Sequence, residues 1–213
     1  MFSLVFILVP FLWLWPVLAA ENGNWTAVDG VVATIKDVPV LSSDVHLEAD
    51  FGLLTSDGLD ADFNSLLGSY LNRLLILKEL EDIGGFRLAE GQAEDYYRSY
   101  LAGFDDMAVF EGKLERWGIS EREIYKRLDR ALLASLYTES RIKFLVKVLP
   151  SDIEEAYEKN PDRWGHAGVF EAWESVKAEL MEESFRLEKG RWLDSLRQRY
   201  GLVVFQTVRD IEP

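Results

Sequence analysis

Histidine is the commonest acid–base and metal-ligating side chain near neutral pH, and this 213-residue chain carries two, His46 and His166. Neither sits in an HExxH or similar spacing, so a surface or half-buried role is expected for both rather than a metal site. Cysteine is absent, which removes disulfides, thiolate ligands and cysteine nucleophiles. The sequence contains no Gly-x-Ser-x-Gly elbow, P-loop or dinucleotide fingerprint. The acidic pairs Asp105-Asp106, Glu154-Glu155 and Glu182-Glu183 could serve acid–base work only in environments that split their pKa values. Adjacent residues on a helix point in different directions, so these pairs read as solvated faces. No catalytic residue, cofactor or metal ligand is therefore expected.

Aromatic residues offer the stronger signal. Tyr96, Tyr97, Tyr100, Phe104, Phe110 and Trp117 crowd one stretch, and Trp164, Phe170 and Trp173 surround the short segment Gly165-His-Ala-Gly-Val169. Such rings commonly fill cores. Exposed along a groove, they would hold apolar polypeptide segments with little regard to sequence. These nine residues are the candidate binding positions.

The rest of the composition narrows the class. With 48% hydrophobic and 13% aromatic residues, the chain can bury one sizeable core. Residues 1–20 carry no charge, and the apolar run 2–18 is followed by Ala19-Ala20 and then Glu21-Asn-Gly-Asn24, the order of a secretory signal peptide over residues 1–19. The run lacks an N-terminal Lys or Arg, and Trp13 and Trp15 resemble interfacial anchors, so retention of residues 2–18 as a membrane anchor is the alternative. Either way residues 20–213 are expected to be exported, to the periplasm or held at the inner membrane, as one domain. The formal charge of −14 repels phosphate backbones, which excludes nucleic acid as a partner.

The elements that must position the aromatics follow from periodicity. Gly30-Val-Val-Ala-Thr-Ile35 and Val38-Pro-Val-Leu41 read as a strand pair turning at Lys36-Asp37, with Pro39 confining the second strand to an edge. Ser42-Ser-Asp44 offers N-caps for a first helix to about residue 54. A second helix over 59–83 has apolar residues on more than one face and is expected at the centre of a bundle. Third and fourth helices are expected over 89–103 and 106–117. Ser120-Glu-Arg-Glu123 is a capping box opening a helix to about 146, whose core face is expected to be Ile124, Leu128, Leu132, Ser135, Ile142 and Leu145. Lys126, Arg127, Asp129 and Arg130 on that helix are expected in solvent. A second capping box, Ser151-Asp-Ile-Glu154, starts a short helix that must stop by Asn160 because Pro161 follows. The longest pattern, 170–200, carries Trp173, Val176, Leu180 and Leu187, then a shifted stripe of Trp192, Leu193 and Leu196 near Gly190. Leu202-Val-Val-Phe205 is a β-type tail able to pair with the first strands. The fold class is mainly α, with a small pairing of N- and C-terminal strands.

This order resembles the SurA and PrsA type of extracytoplasmic folding factor. The resemblance rests on the opening strand, turn and Ser-acidic helix start, on Leu71-Asn-Arg-Leu-Leu-Ile-Leu-Lys-Glu79, and on Tyr157 with Asn160-Pro-Asp162 before Trp164. In that family an Asn-Gly turn usually stands where Lys36-Asp37 stands here. The family's text then enters a parvulin prolyl-isomerase domain, whereas this chain passes through five residues, 165–169, to the closing helix. The resemblance implies a helical SurA N-terminal-like chaperone module, with 170–205 as closing helix and terminal strand. It implies ATP-independent binding of unfolded or nascent exported polypeptides, including outer-membrane proteins, without an isomerase domain. A homodimer, through the aromatic helices or by exchange of the closing helix, is a further possibility. The alternatives are an active prolyl isomerase or a dedicated assembly subunit of one envelope complex.

Overall fold

The structure, a computed structural model, describes residues 29–54, 62–164 and 168–205; the expected signal segment and His166 lie outside them. Strands β1 (Val31–Ile35) and β2 (Val38–Leu41) lead into helices α1 (Ser42–Asp50), α2 (Phe63–Ile83), α3 (Gln92–Leu101), α4 (Met107–Trp117) and α5 (Glu121–Lys143). Then follow α6 (Pro150–Lys159), a single 3-10 turn (Pro161–Trp164), the long α7 (Val169–Arg199) and β3 (Val203–Val204). The fold is mainly helical with one small antiparallel sheet, in the order β2-β1-β3.

The hairpin turns through Lys36 and Asp37, both at positive φ (46° and 66°). That is the geometry of the tight turns that usually require Asn-Gly, and a side chain there costs ~1–2 kcal/mol per residue. Tertiary contacts offset the cost. The Lys36 N–H donates to the Tyr200 carbonyl at 3.0 Å, and its ammonium lies 4.7 Å from the centre of the Tyr200 ring.

Tyr200 ends α7 and is 1% exposed. Its hydroxyl reaches Glu79 Oε2 at 2.9 Å and Asp82 Oδ2 at 3.0 Å on α2, and Arg199 donates to Glu79 Oε2 at 2.5 Å. Burial, and then these two carboxylates, raise the Tyr200 phenol, which stays protonated as a donor. The Tyr200 hydrogen bond in turn lowers Asp82. Gly201 (φ 56°) reverses the chain, its N–H donating to Gln198 and that of Leu202 to Arg197, which closes a Schellman motif. Two residues later Val203 and Val204 pair with Thr34 and Ala33, so the β-type tail does join the N-terminal strands.

Three groups of buried side chains organise the helices. The main one joins the inner face of the sheet to α2, the C-terminal half of α5 and the C-terminal end of α7, through Ala33, Val40, Leu71, Leu75, Ile142, Trp192 and Leu196. A second, around Leu47, Phe51, Phe110, Ile124 and Leu128, unites α1, α4 and the start of α5. A third, Ile153, Ala172 and Val176, lies between α6 and the first half of α7. Between its two packed ends α7 exposes Met181 and Leu187, so the expected core role of Leu187 is corrected.

Several sequence expectations shift for local reasons. α1 stops at Asp50 rather than near 54, because Gly52 (φ 67°) turns the chain and sends the Leu53 N–H back to the Glu48 carbonyl. α5 ends at Lys143 rather than near 146, so Leu145 lies beyond it and is exposed, as is Ser135 within it, while Ala134, Tyr137 and Thr138 are buried instead. Arg127, expected in solvent, is half-buried: it donates to Glu48 at 3.2 Å and to Asp44 at 3.0 Å, while Arg73 pairs with the same Glu48. Burial holds the Glu48 carboxyl above its ordinary range against the pull of both arginines. The N-cap of α6 is Leu149, two residues before Ser151, since Pro150 fits the first helical position. There the Asp152 carboxylate accepts the Leu149 N–H at 2.8 Å.

Tyr200→Ala is expected to destabilise the protein by ~3–5 kcal/mol, and Tyr200→Phe by ~1.5–3 kcal/mol through the lost bond to charged acceptors; urea unfolding midpoints measure both. At the start of α5, Glu123 accepts the Ser120 N–H at 2.9 Å and the Ser120 hydroxyl at 3.0 Å, which lowers its carboxyl. A carboxyl lowered in the folded state stabilises at pH above its unfolded value, and the effect disappears as pH falls through the lowered value. The melting-temperature gap between the wild type and Glu123→Gln should therefore narrow as pH falls below the ordinary glutamate value of about 4.3.

Candidate functional site

The candidate aromatics divide into two environments. In the first, Phe110 is 1% exposed at the centre of the second core, with Tyr97, Tyr100, Phe104 and Trp117 packed around it. Their rings meet edge-on: Phe104 to Phe110 at 5.4 Å, Tyr100 to Phe104 at 5.3 Å, Tyr97 to Tyr125 at 5.3 Å. Their polar atoms are committed within the chain. The Tyr100 hydroxyl donates to the Phe51 carbonyl at 2.8 Å, the Trp117 indole to Asp50 at 2.8 Å, and the Tyr97 hydroxyl to Glu121 at 2.8 Å. Burial, with the nearby Asp50 charge, pushes the Tyr100 phenol up to about 12, and burial with the Glu121 bond raises Tyr97 too. These rings dock α3 and α4 onto α1 and α5. Tyr96 alone of this group is exposed.

The second environment is the unit formed by α6, the 3-10 turn and the start of α7. α6 presents Asp152, Glu155, Ala156 and Lys159, and α7 presents Val176, Glu179, Leu180 and Glu183, each set at i, i+3, i+4, i+7 and so on one face. The faces leave a groove of about 360 Å³, into which the small Ala156 gives depth. α6 ends at Lys159, as Pro161 demands, and the 3-10 turn then brings Arg163 and Trp164 to the groove wall. Trp164 packs against the Ile153, Ala172 and Val176 cluster, and its buried indole Nε1–H meets no acceptor among the described residues. Arg163 pairs with Glu179 at 2.6 Å, and Lys159 with Glu155 at 2.6 Å.

Trp173 joins Trp164 at this cluster, half-buried. Phe170 points away from any core and is 88% exposed. Along the connection from α5 to α6, Phe144 (79% exposed), Leu145 and Leu149 are exposed as well. Sequence reasoning anticipated Trp164, Phe170 and Trp173 here but missed the paired carboxylate faces and the apolar connection. The signal was present: Asp152, Glu155 and Lys159 repeat at helical spacing around a single alanine, as do Glu179 and Glu183 around Leu180. His46, the histidine within the described residues, lies exposed on α1 with its ring 5.0 Å from that of Phe63.

No protein-family model matches this chain, and no curated protein matches it either.

The contrast between environments gives a direct test. Phe110→Ala should cost ~3–5 kcal/mol of stability, as for other buried aromatics. Phe170→Ser should stay within ~0.5 kcal/mol of the wild type. Chemical denaturation of the two variants measures the difference.

Proposed function

We propose that the chain is an exported, ATP-independent chaperone that binds nonnative secreted or outer-membrane polypeptides and has no isomerase activity of its own. The observation that carries this reading is the concentration of exposed large apolar side chains, Phe144, Leu145, Leu149 and Phe170, on the segments flanking the α6–α7 groove. Apolar surface of this kind favours contact with other chains, and at such a site tolerance of sequence is an advantage. The excess of carboxylates, −14 overall, keeps the surface and any loaded complex in solution. The order of strands and helices, which resembles the SurA and PrsA folding factors, supports the same reading.

Binding in this scheme needs no nucleotide or covalent step. An unfolded segment lays apolar residues against Phe144, Leu149 and Phe170, and the segment is withheld from aggregation for as long as it stays bound. The packed aromatics of α3 and α4 contribute by fixing the scaffold rather than by touching the bound chain. Residues 21–213 at molar excess should lower the light scattering of an unfolded outer-membrane protein diluted from urea, and Phe144→Ser/Phe170→Ser should weaken that protection several-fold. Unchanged scattering with the wild type at molar excess overturns the reading. Acceleration of cis–trans exchange in a proline peptide would overturn the noncatalytic part.

A further inference from the structure

The α6–α7 groove has a charge asymmetry that specifies what it can hold. Its floor is apolar, from Ala156, Val176, Leu180 and the Trp164 ring. Around it stand four carboxylates, Asp152, Glu155, Glu179 and Glu183, against two cations, Lys159 and Arg163. Both cations are already engaged by groove carboxylates, at 2.6 Å each. Glu183 makes no ion pair among the described residues, and Asp152 is bound only to a neutral backbone N–H. The uncompensated charge of the groove is therefore negative, beside an apolar floor.

We propose that this groove binds polypeptide segments in which an apolar side chain is flanked by lysine or arginine. This deepens the chaperone reading and rests on it, by naming the class of segment selected. The apolar side chain covers Ala156 and Leu180, and the flanking cations meet Glu183 and Asp152. An acidic segment is repelled by the same rim, and the overall charge of the protein adds long-range attraction for basic segments.

The test uses the purified protein and three fluorescein-labelled peptides of equal length with identical leucines, the flanking positions being lysine, glutamine or glutamate. Fluorescence anisotropy in low salt should rank them lysine, glutamine, glutamate, with the spread collapsing in half-molar salt. Glu183→Gln should weaken the lysine peptide by ~3-fold, within the range of exposed ion pairs. Ala156→Trp, which fills the groove, should weaken all three peptides, circular dichroism confirming that the variant is folded. Equal affinity for the three peptides overturns the charge selection. A lysine preference that survives both Ala156→Trp and Glu183→Gln overturns the location. In either case protection of an unfolded outer-membrane protein, measured in parallel, separates the outcomes: persisting protection removes only this inference, and lost protection removes the chaperone reading itself.

Discussion

Burial of Tyr200 at the end of α7 is the constraint on which the rest of the arrangement depends. One residue gives α2 a phenol donor between Glu79 and Asp82, gives the β1–β2 turn a carbonyl acceptor, and places its ring beneath the Lys36 ammonium. Glu79 is itself buried, and a buried carboxylate is tolerable only when charge and hydrogen bonds meet it; Arg199 and Tyr200 supply both. Because Gly201 reverses the chain immediately afterwards, fixing Tyr200 also fixes β3 against β1. Segments far apart in sequence are thereby made neighbours, and the long α7 acquires one immobile end.

A second ionic node acts on the other side of α2. Glu48 of α1 is held by Arg73 of α2 and Arg127 of α5, so three helices meet at one carboxylate. With α2 gripped at both nodes and the Phe110 core docking α3 and α4, the N-terminal helices form a closed scaffold. The α6–α7 unit differs in kind. It has its own small core, it is reached through an α7 middle whose Met181 and Leu187 face solvent, and exposed apolar side chains collect on the segments leading into it. Exposed apolar side chains also lie on the sheet, at Val31, Val38, Val203 and Val204, but here Phe144, Leu145, Leu149 and Phe170 stand beside a groove rimmed by carboxylates that oppose self-association. That combination suits a surface for transient contact with other chains.

Helix periods, stop signals and β-type runs were legible from local chemistry. Pro161 follows the end of α6 and Ser120 caps the start of α5 as expected, and Pro39 stands on an edge strand, whereas α2, expected from 59, begins at Phe63 behind the Asp62 cap. Arg127 was misplaced because helical spacing alone puts it beside Lys126 and Arg130; only the approach of Asp44 and Glu48 from another helix draws it inward. Local preference favours Asn-Gly over Lys36-Asp37 at this positive-φ turn, which is held by Tyr200, far along the chain. The aromatic cluster of α3 and α4 could not be divided into core and surface by sequence, since Tyr96 and Tyr97 are adjacent and of one type yet face different surroundings.

By itself the sequence determined the order and type of the helices and strands, the acidic surface, the exclusion of cysteine chemistry and the amount of aromatic surface available. Each of these depends on residue type and on neighbours a few positions away. The tertiary structure decided which rings are enclosed and which remain in water, which carboxylates find cations, and that α6 and α7 leave a groove between them. Those outcomes depend on which faces meet across long separations. At Phe110 and Phe170 the same side chain is core in one place and exposed surface in the other, for the physical reason that only Phe110 has helices converging on it.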